Sequence, residues 1–177
     1  MSRFPVPLKT NTVLLPWENG EDWKELALLA KNRRIDVRFI EKMPLGKDKE
    51  TEGVSNILLL EEMQASFGKA EPDGRSHGNG PAVYYRFPGF QGSVGFISAM
   101  THVFCARCNR VRLTSQGFLR PCLASESGTD LRALLRSGAD DAALLQAIQN
   151  TILAKPREHH FGQGSMPATR GMYRIGG

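Results

Sequence analysis

Cys105, Cys108 and Cys122 are the three cysteines of the chain, and all stand in one short arginine-rich stretch. It runs Phe104-Cys105-Ala106-Arg107-Cys108-Asn109-Arg110-Val111-Arg112, with Pro121-Cys122-Leu123 following. A CxxC pair places two thiols on one tight turn. A third thiol, thirteen intervening residues later, can return beside them across a hairpin. The set therefore has metal-ligand spacing, and thiolates in this pattern suit an iron-sulfur cluster or a zinc ion.

A structural zinc site takes four protein ligands. The fourth would have to be His102, three positions before Cys105, or one of His77, His159 and His160. A 4Fe-4S cluster also has four ligand positions, but it tolerates three cysteines with the fourth iron open to substrate. Three cysteines with no obvious fourth ligand favour the cluster, while the spacing alone keeps zinc as the alternative.

Arg110 and Arg112 lie two apart on an expected strand, so they project to one face just beyond Cys108. Two guanidinium forks there can grip a triphosphate or another polyanion, or they can compensate the thiolate charge at the surface. Arg107 and Arg120 are expected to be solvated. Lys9 and Arg38 sit in apolar strand sequences, where a cation needs a carboxylate or a bound anion. For Arg38 the competing readings are ligand contact and a simple pairing with Glu41 or another acidic neighbour.

These residues need a scaffold, and 177 residues with 41% hydrophobic content can bury one substantial core or two small ones. An odd cysteine count, no basic-then-apolar segment at Met1 and no apolar run near the ~18–20 residues of a membrane span lead us to expect a reducing, cytoplasmic setting. The net charge of +5 is modest but uneven: Thr101 to Ser125 holds four arginines and no acidic residue. An anionic partner is expected at that island.

Along the chain, Leu8–Leu15 reads as a strand, Glu21–Arg33 as a helix with Asn19 and Asp22 at its start, and Ile35–Ile40 as a second strand. Strand, helix, strand makes a βαβ unit with parallel strands. Ser55 caps a helix to about Phe67, and Lys69–Pro81 reads as a linker or exposed loop. Two hairpins follow, Val83–Phe87 with Ser93–Ser98, and Arg110–Thr114 with Phe118–Leu123 around Ser115-Gln116-Gly117. Two helices close the pattern. Asp130–Arg136 ends at Gly138, and a longer one from Asp140 carries the stripe Leu144, Leu145, Ile148 and Ile152, expected to be core, until Lys155-Pro156 stops it. The tail from Gly162 has no periodicity. The domain reading is thus 1–68, a linker at 69–81, and 82–177.

Several of these segments together resemble the molybdenum cofactor biosynthesis protein A family. They are Leu8-Lys9-Thr10-Asn11-Thr12-Val13, Val37 through Gly46, Gly95-Phe96-Ile97-Ser98, residues 105–114, residues 119–123, and the terminal Gly176-Gly177. That family is the GTP 3',8-cyclase, a radical S-adenosylmethionine lyase of molybdenum cofactor biosynthesis.

The resemblance implies an α/β fold: later βα units of an incomplete TIM-type barrel, then a mostly antiparallel β and helical carboxy-terminal domain. It implies Cys105, Cys108 and Cys122 as ligands of a second 4Fe-4S cluster with one open iron. It further implies GTP contacts for Lys9, Arg38, Arg110 and Arg112, and an S-adenosylmethionine contact for Met43. Gly176 and Gly177 become a tail able to enter a narrow pocket. The family's CxxxCxxC loop, which carries the radical-generating cluster, has no counterpart here. The chain is therefore expected to be inactive alone, as a fragment, a truncated product, or a subunit needing a separate amino-terminal half or further copies. The rival reading is a non-catalytic zinc or iron-sulfur module binding nucleic acid, disfavoured because only Phe104 and Phe118 offer stacking beside the basic island.

Overall fold

The structure is a computed structural model describing residues 6–44, 52–102, 104–159 and 161. It is α/β, with one mixed sheet and one separate antiparallel sheet. Two compact units divide the chain, one within residues 1–43 and 51–104 and the other within 44–50 and 105–177. The division thus falls after Phe104, whereas Lys69–Pro81 lies inside the first unit and carries a short strand.

The first unit contains β1 (Leu8–Thr12), α1 (Trp23–Asn32), β2 (Ile35–Ile40), α2 (Asn56–Phe67), β3 (Glu71–Pro72), β4 (Val83–Arg86) and β5 (Val94–Ile97). Its sheet runs β1-β2-β5-β4-β3. The expected βαβ unit is present: β1 and β2 are parallel neighbours joined through α1, and β2 is also parallel to β5. The expected hairpin of β4 and β5 is antiparallel, and β3 extends it.

Register decides what each face presents. Lys9 stands opposite Asp36, Asn11 opposite Arg38, Arg38 opposite Gly95, and Gly95 opposite Tyr84. Because side chains alternate along strands, these residues share one face, while Val37, Phe39, Val94 and Phe96 occupy the other. That second face is the core, closed by Trp23, Ala27 and Ala30 of α1 and by Leu59 and Met63 of α2. Phe39 stacks on Phe96 with ring centroids 6.1 Å apart, and Phe67 meets Trp23 edge-on at 6.0 Å. Each such buried side chain contributes about 1.5–3 kcal/mol.

Gly95 leaves room on the polar face, since a Cβ there would come within 2.8 Å of the Tyr84 ring and 3.1 Å of the Arg38 stem. Ser55 caps α2 as expected, accepting from the Ile57 N–H at 3.3 Å. Asn19 does not cap α1. Its Oδ1 accepts from the Leu15 N–H at 2.7 Å and its Nδ2 donates to the Val13 carbonyl at 3.1 Å, closing the preceding turn instead.

The second unit contains a 3-10 turn (Cys105–Arg107), β6 (Arg112–Leu113), β7 (Phe118–Arg120), β8 (Thr129–Asp130), α3 (Leu131–Arg136) and α4 (Asp141–Leu153). The cysteine hairpin forms as an antiparallel β6–β7 pair, and Gly117 turns it with φ of +79°. β8, absent from the sequence reading, adds a third strand. The α4 stripe is only partly core: Leu144 and Ile148 are half-buried, but Leu145 and Ile152 are 56% and 46% exposed. Thr151 anchors the helix instead, buried, with its hydroxyl 2.6 Å from that of Thr129 in β8. No helix among the described residues is long and apolar enough to cross a membrane.

Candidate functional site

Cys105 opens the 3-10 turn, and the Cys108 N–H donates to its carbonyl at 3.1 Å, which closes the CxxC loop. Cys122 follows β7 by one residue beyond Pro121. All three thiols are free and half-buried. Burial pushes the Cys105 thiol up. The His159 backbone N–H lowers it, the charges of Cys122 and Cys108 raise it, and Lys155 opposes them.

Among the described residues no three His, Cys, Asp or Glu side chains are arranged to hold a metal ion. His102 is exposed, His159 accepts at Nδ1 from the Phe161 N–H, and His160 lies outside the described residues. A single zinc ion draws its ligands to one centre, whereas a 4Fe-4S cluster takes one thiolate per iron and spreads them wider. Both groups take thiolate donors, which the three free thiols can supply.

Arg112 and Arg120 stand directly opposite each other on the β6–β7 ladder. Like charges in that position are unfavourable unless an anion offsets them. Burial pulls the Arg112 guanidinium below its ordinary value, the Arg110 charge adds to this, and the thiol groups of Cys122 and Cys108 act in the opposite direction. β6 begins at Arg112, so Arg110 precedes the strand and is exposed. Arg107 is exposed as expected. Arg120 is not: it is buried, with Nε donating to the Ser125 carbonyl at 2.6 Å, because the turn after Cys122 folds back over it.

In the first unit, Lys9 pairs with Asp36 at 3.9 Å, donates to the His77 carbonyl, and lies 5.6 Å from the Tyr84 ring centroid. His77 stacks on Tyr84 at 3.8 Å and sets its two ring nitrogens on Asp36 at 2.8 Å and Asp73 at 3.1 Å. The Arg75 guanidinium, assisted by Ser93, holds the Asp73 carboxyl well below the usual carboxylate range despite burial. Lys9 thus has an internal carboxylate partner.

Arg38 is different. The expected pairing with Glu41 is not made, because Glu41 is buried and its carboxylate accepts from the Asn56 N–H at 3.2 Å and from the Met100 and Thr101 N–H groups at 2.8 and 2.9 Å. Arg38 Nε is buried with no hydrogen-bond partner among the described residues. A buried guanidinium N–H without an acceptor costs about 1–3 kcal/mol. Met43 is half-buried two residues beyond Glu41, on the segment that this carboxylate pins down. Gly176 and Gly177 lie outside the described residues.

The sequence reading missed Asp36, Asp73 and Lys155, and it considered His77 only as a zinc ligand, not as the partner of two carboxylates. Asp36 meets His77 across 41 residues and Lys155 meets Cys108 across 47, separations at which a linear pattern carries no signal. Lys155 had been read only as part of a helix stop.

The family model described as Molybdenum Cofactor Synthesis C matches residues 35–161. The chain is 41% identical over 174 residues to the GTP 3',8-cyclase of Clostridium perfringens (strain SM101 / Type A), covering 97% of this chain and 54% of that protein. It is 42% identical over 179 residues to the GTP 3',8-cyclase of Gloeobacter violaceus, with the same coverage of 97% and 54%. The chain thus spans about half the length of the curated relatives it matches. With a match over most of its length that takes in all three cysteines and both arginines beside them, the chain belongs to the Molybdenum Cofactor Synthesis C family.

Proposed function

We propose that this chain is the carboxy-terminal portion of a GTP 3',8-cyclase acting in molybdenum cofactor biosynthesis in the cytoplasm. Cys105, Cys108 and Cys122 would hold a 4Fe-4S cluster, with the mixed sheet supplying the later strands of an incomplete barrel. When bound, a cluster held by three thiolates supplies an open iron that can act as a Lewis acid toward a substrate heteroatom.

The residues of this chain bind and orient. Arg110 and Arg112 present guanidinium forks to the triphosphate, and each charge-assisted contact contributes about 1.5–3 kcal/mol. Lys9 and Arg38 take further GTP contacts from the polar face of the sheet, and Met43 takes the S-adenosylmethionine contact. Positioning of this kind raises the rate of attack by holding reactive atoms in place. The radical itself would come from the amino-terminal half of such an enzyme. The observation that supports the reading is the β6–β7 hairpin, which sets Arg112 opposite Arg120, four residues after Cys108 and two before Cys122 respectively.

The test is GTP affinity of the reconstituted chain mixed with an amino-terminal half, by calorimetry. The double variant Arg110→Ala with Arg112→Ala should bind more weakly by about 3 kcal/mol or more, roughly a hundredfold. Equal affinity in parent and variant would reject the assignment.

A further inference from the structure

Lys155 is the residue of the second unit whose contacts the proposed chemistry does not yet use. It sits just beyond the last turn of α4, where its own N–H donates to the Ile152 carbonyl at 3.1 Å. Its Nζ lies 2.8 Å from the Cys108 carbonyl, 2.6 Å from the Arg110 carbonyl and 3.4 Å from Cys108 Sγ. An ammonium has three donors, and all three find an acceptor on the cysteine turn.

The two carbonyls need such a partner. The β6–β7 ladder begins at Arg112, so Cys108 and Arg110 lie outside it. A backbone carbonyl that no ladder engages must find a donor elsewhere or remain hydrated and mobile. The segment between the CxxC turn and the strand has its conformation set by Lys155 instead.

Lys155 is itself held firmly with respect to the third cysteine. α4 is fastened through Thr151 to Thr129 of β8. β8 pairs with β7 at Leu119↔Thr129, and Cys122 follows β7 by one residue beyond Pro121. A continuous path of hydrogen bonds therefore runs from the Cys122 side of the hairpin through α4 to the Cys108 side. A second contact from the same post-helical segment reaches Cys105, where the His159 N–H donates to the thiol. The segment after α4 thus touches two of the three cysteines and is tied to the strand that precedes the third.

Resting on the cluster reading above, we infer that Lys155 is the positioning residue of the three-cysteine site. It fixes the backbone of Cys108 to Arg110 by its two carbonyl contacts, and it donates an N–H···S bond to the Cys108 sulfur. The first action holds the backbone that carries Cys108. The second stabilises negative charge on that sulfur, and hydrogen bonds to ligand sulfurs raise the reduction potential of a bound cluster.

The experiment compares the full chain with Lys155→Met, which keeps the apolar stem and removes the donors, and with Lys155→Arg, which keeps charge and donors. In the metal-free proteins, amide hydrogen exchange over residues 105–112 should be several-fold faster in Lys155→Met than in the parent, with the β4–β5 amides unchanged. Lys155→Arg should restore at least part of the protection. After anaerobic loading with ferrous iron and sulfide, Lys155→Met should release iron to a chelator several-fold faster, and its midpoint potential should move to more negative values. Identical exchange over residues 105–112 in all three proteins would overturn the positioning role. Identical potentials and release rates in loaded parent and Lys155→Met would overturn the N–H···S bond. A parent that takes up no iron would instead remove the cluster reading, and the exchange comparison would still decide whether Lys155 holds the turn.

Discussion

Glu41→Gln tests whether one buried carboxylate fixes the segment that carries Met43. Glu41 Oε2 accepts from the Met100 and Thr101 N–H groups at 2.8 and 2.9 Å, and Oε1 accepts from the Asn56 N–H at 3.2 Å and from the Thr101 hydroxyl. A glutamine keeps the shape but owns one acceptor oxygen, so its NH2 must point at one of these two donor pairs. At least two bonds to a charged acceptor are lost, each contributing about 1.5–3 kcal/mol, and buried N–H groups are left without partners. The expected loss is therefore about 3 kcal/mol or more for the first unit. Trp23, 3% exposed in the core, is the natural fluorescence reporter for urea unfolding, provided Trp17, 84% exposed, is first changed to Phe. An unfolding free energy within about 0.5 kcal/mol of the parent would place Glu41 among surface-like substitutions and refute the latch.

Gly95→Ala should destabilise the first unit by about 1–3 kcal/mol, since its new methyl meets the Tyr84 ring at 2.8 Å and the Arg38 stem at 3.1 Å; an unchanged melting temperature would contradict the close approach. Asp73 has a folded pKa depressed by Arg75, so its contribution is present above the usual carboxylate range and is lost as pH falls through the folded value. The stability difference between parent and Asp73→Asn should accordingly hold constant from neutral pH to about 5 and shrink below about 4, and a difference that grows on acidification would reverse the sign we assign. The chain alone, under strong reductant, should form no 5'-deoxyadenosine from S-adenosylmethionine, because its three cysteines leave none for a CxxxCxxC loop; chromatographic detection above a no-protein control would overturn this.

Much of the fold was legible where pattern and capping agree locally. The β1–α1–β2 unit follows from apolar runs flanking a helical repeat, and α2 from a Ser55 cap that the structure retains. The β4–β5 and β6–β7 hairpins follow from turn residues between short strands. β8 was not legible, because its two residues owe their strand geometry to β7 and carry no period of their own. The α4 stripe misled for the opposite reason: helical spacing marks one face, but it does not say what covers that face, and Leu145 and Ile152 remain exposed. Within the candidate site the thiols and cations were visible as residue types. Their partners were not, since Lys9–Asp36, His77–Asp36 and Lys155–Cys108 depend on register and on chain return. Arg38 shows how the structure sharpens such a reading. Its competing partner Glu41 is committed to backbone amides, and its own Nε stays buried without an acceptor among the described residues.

The most direct test of the central claim is metal analysis of the chain after anaerobic reconstitution with iron, sulfide and zinc offered together. A three-thiolate cluster at Cys105, Cys108 and Cys122 predicts about four irons and about four sulfides per chain, with broad charge-transfer absorbance that is lost when any one of the three is changed to serine. One tightly bound zinc per chain, with no iron uptake, would contradict the account.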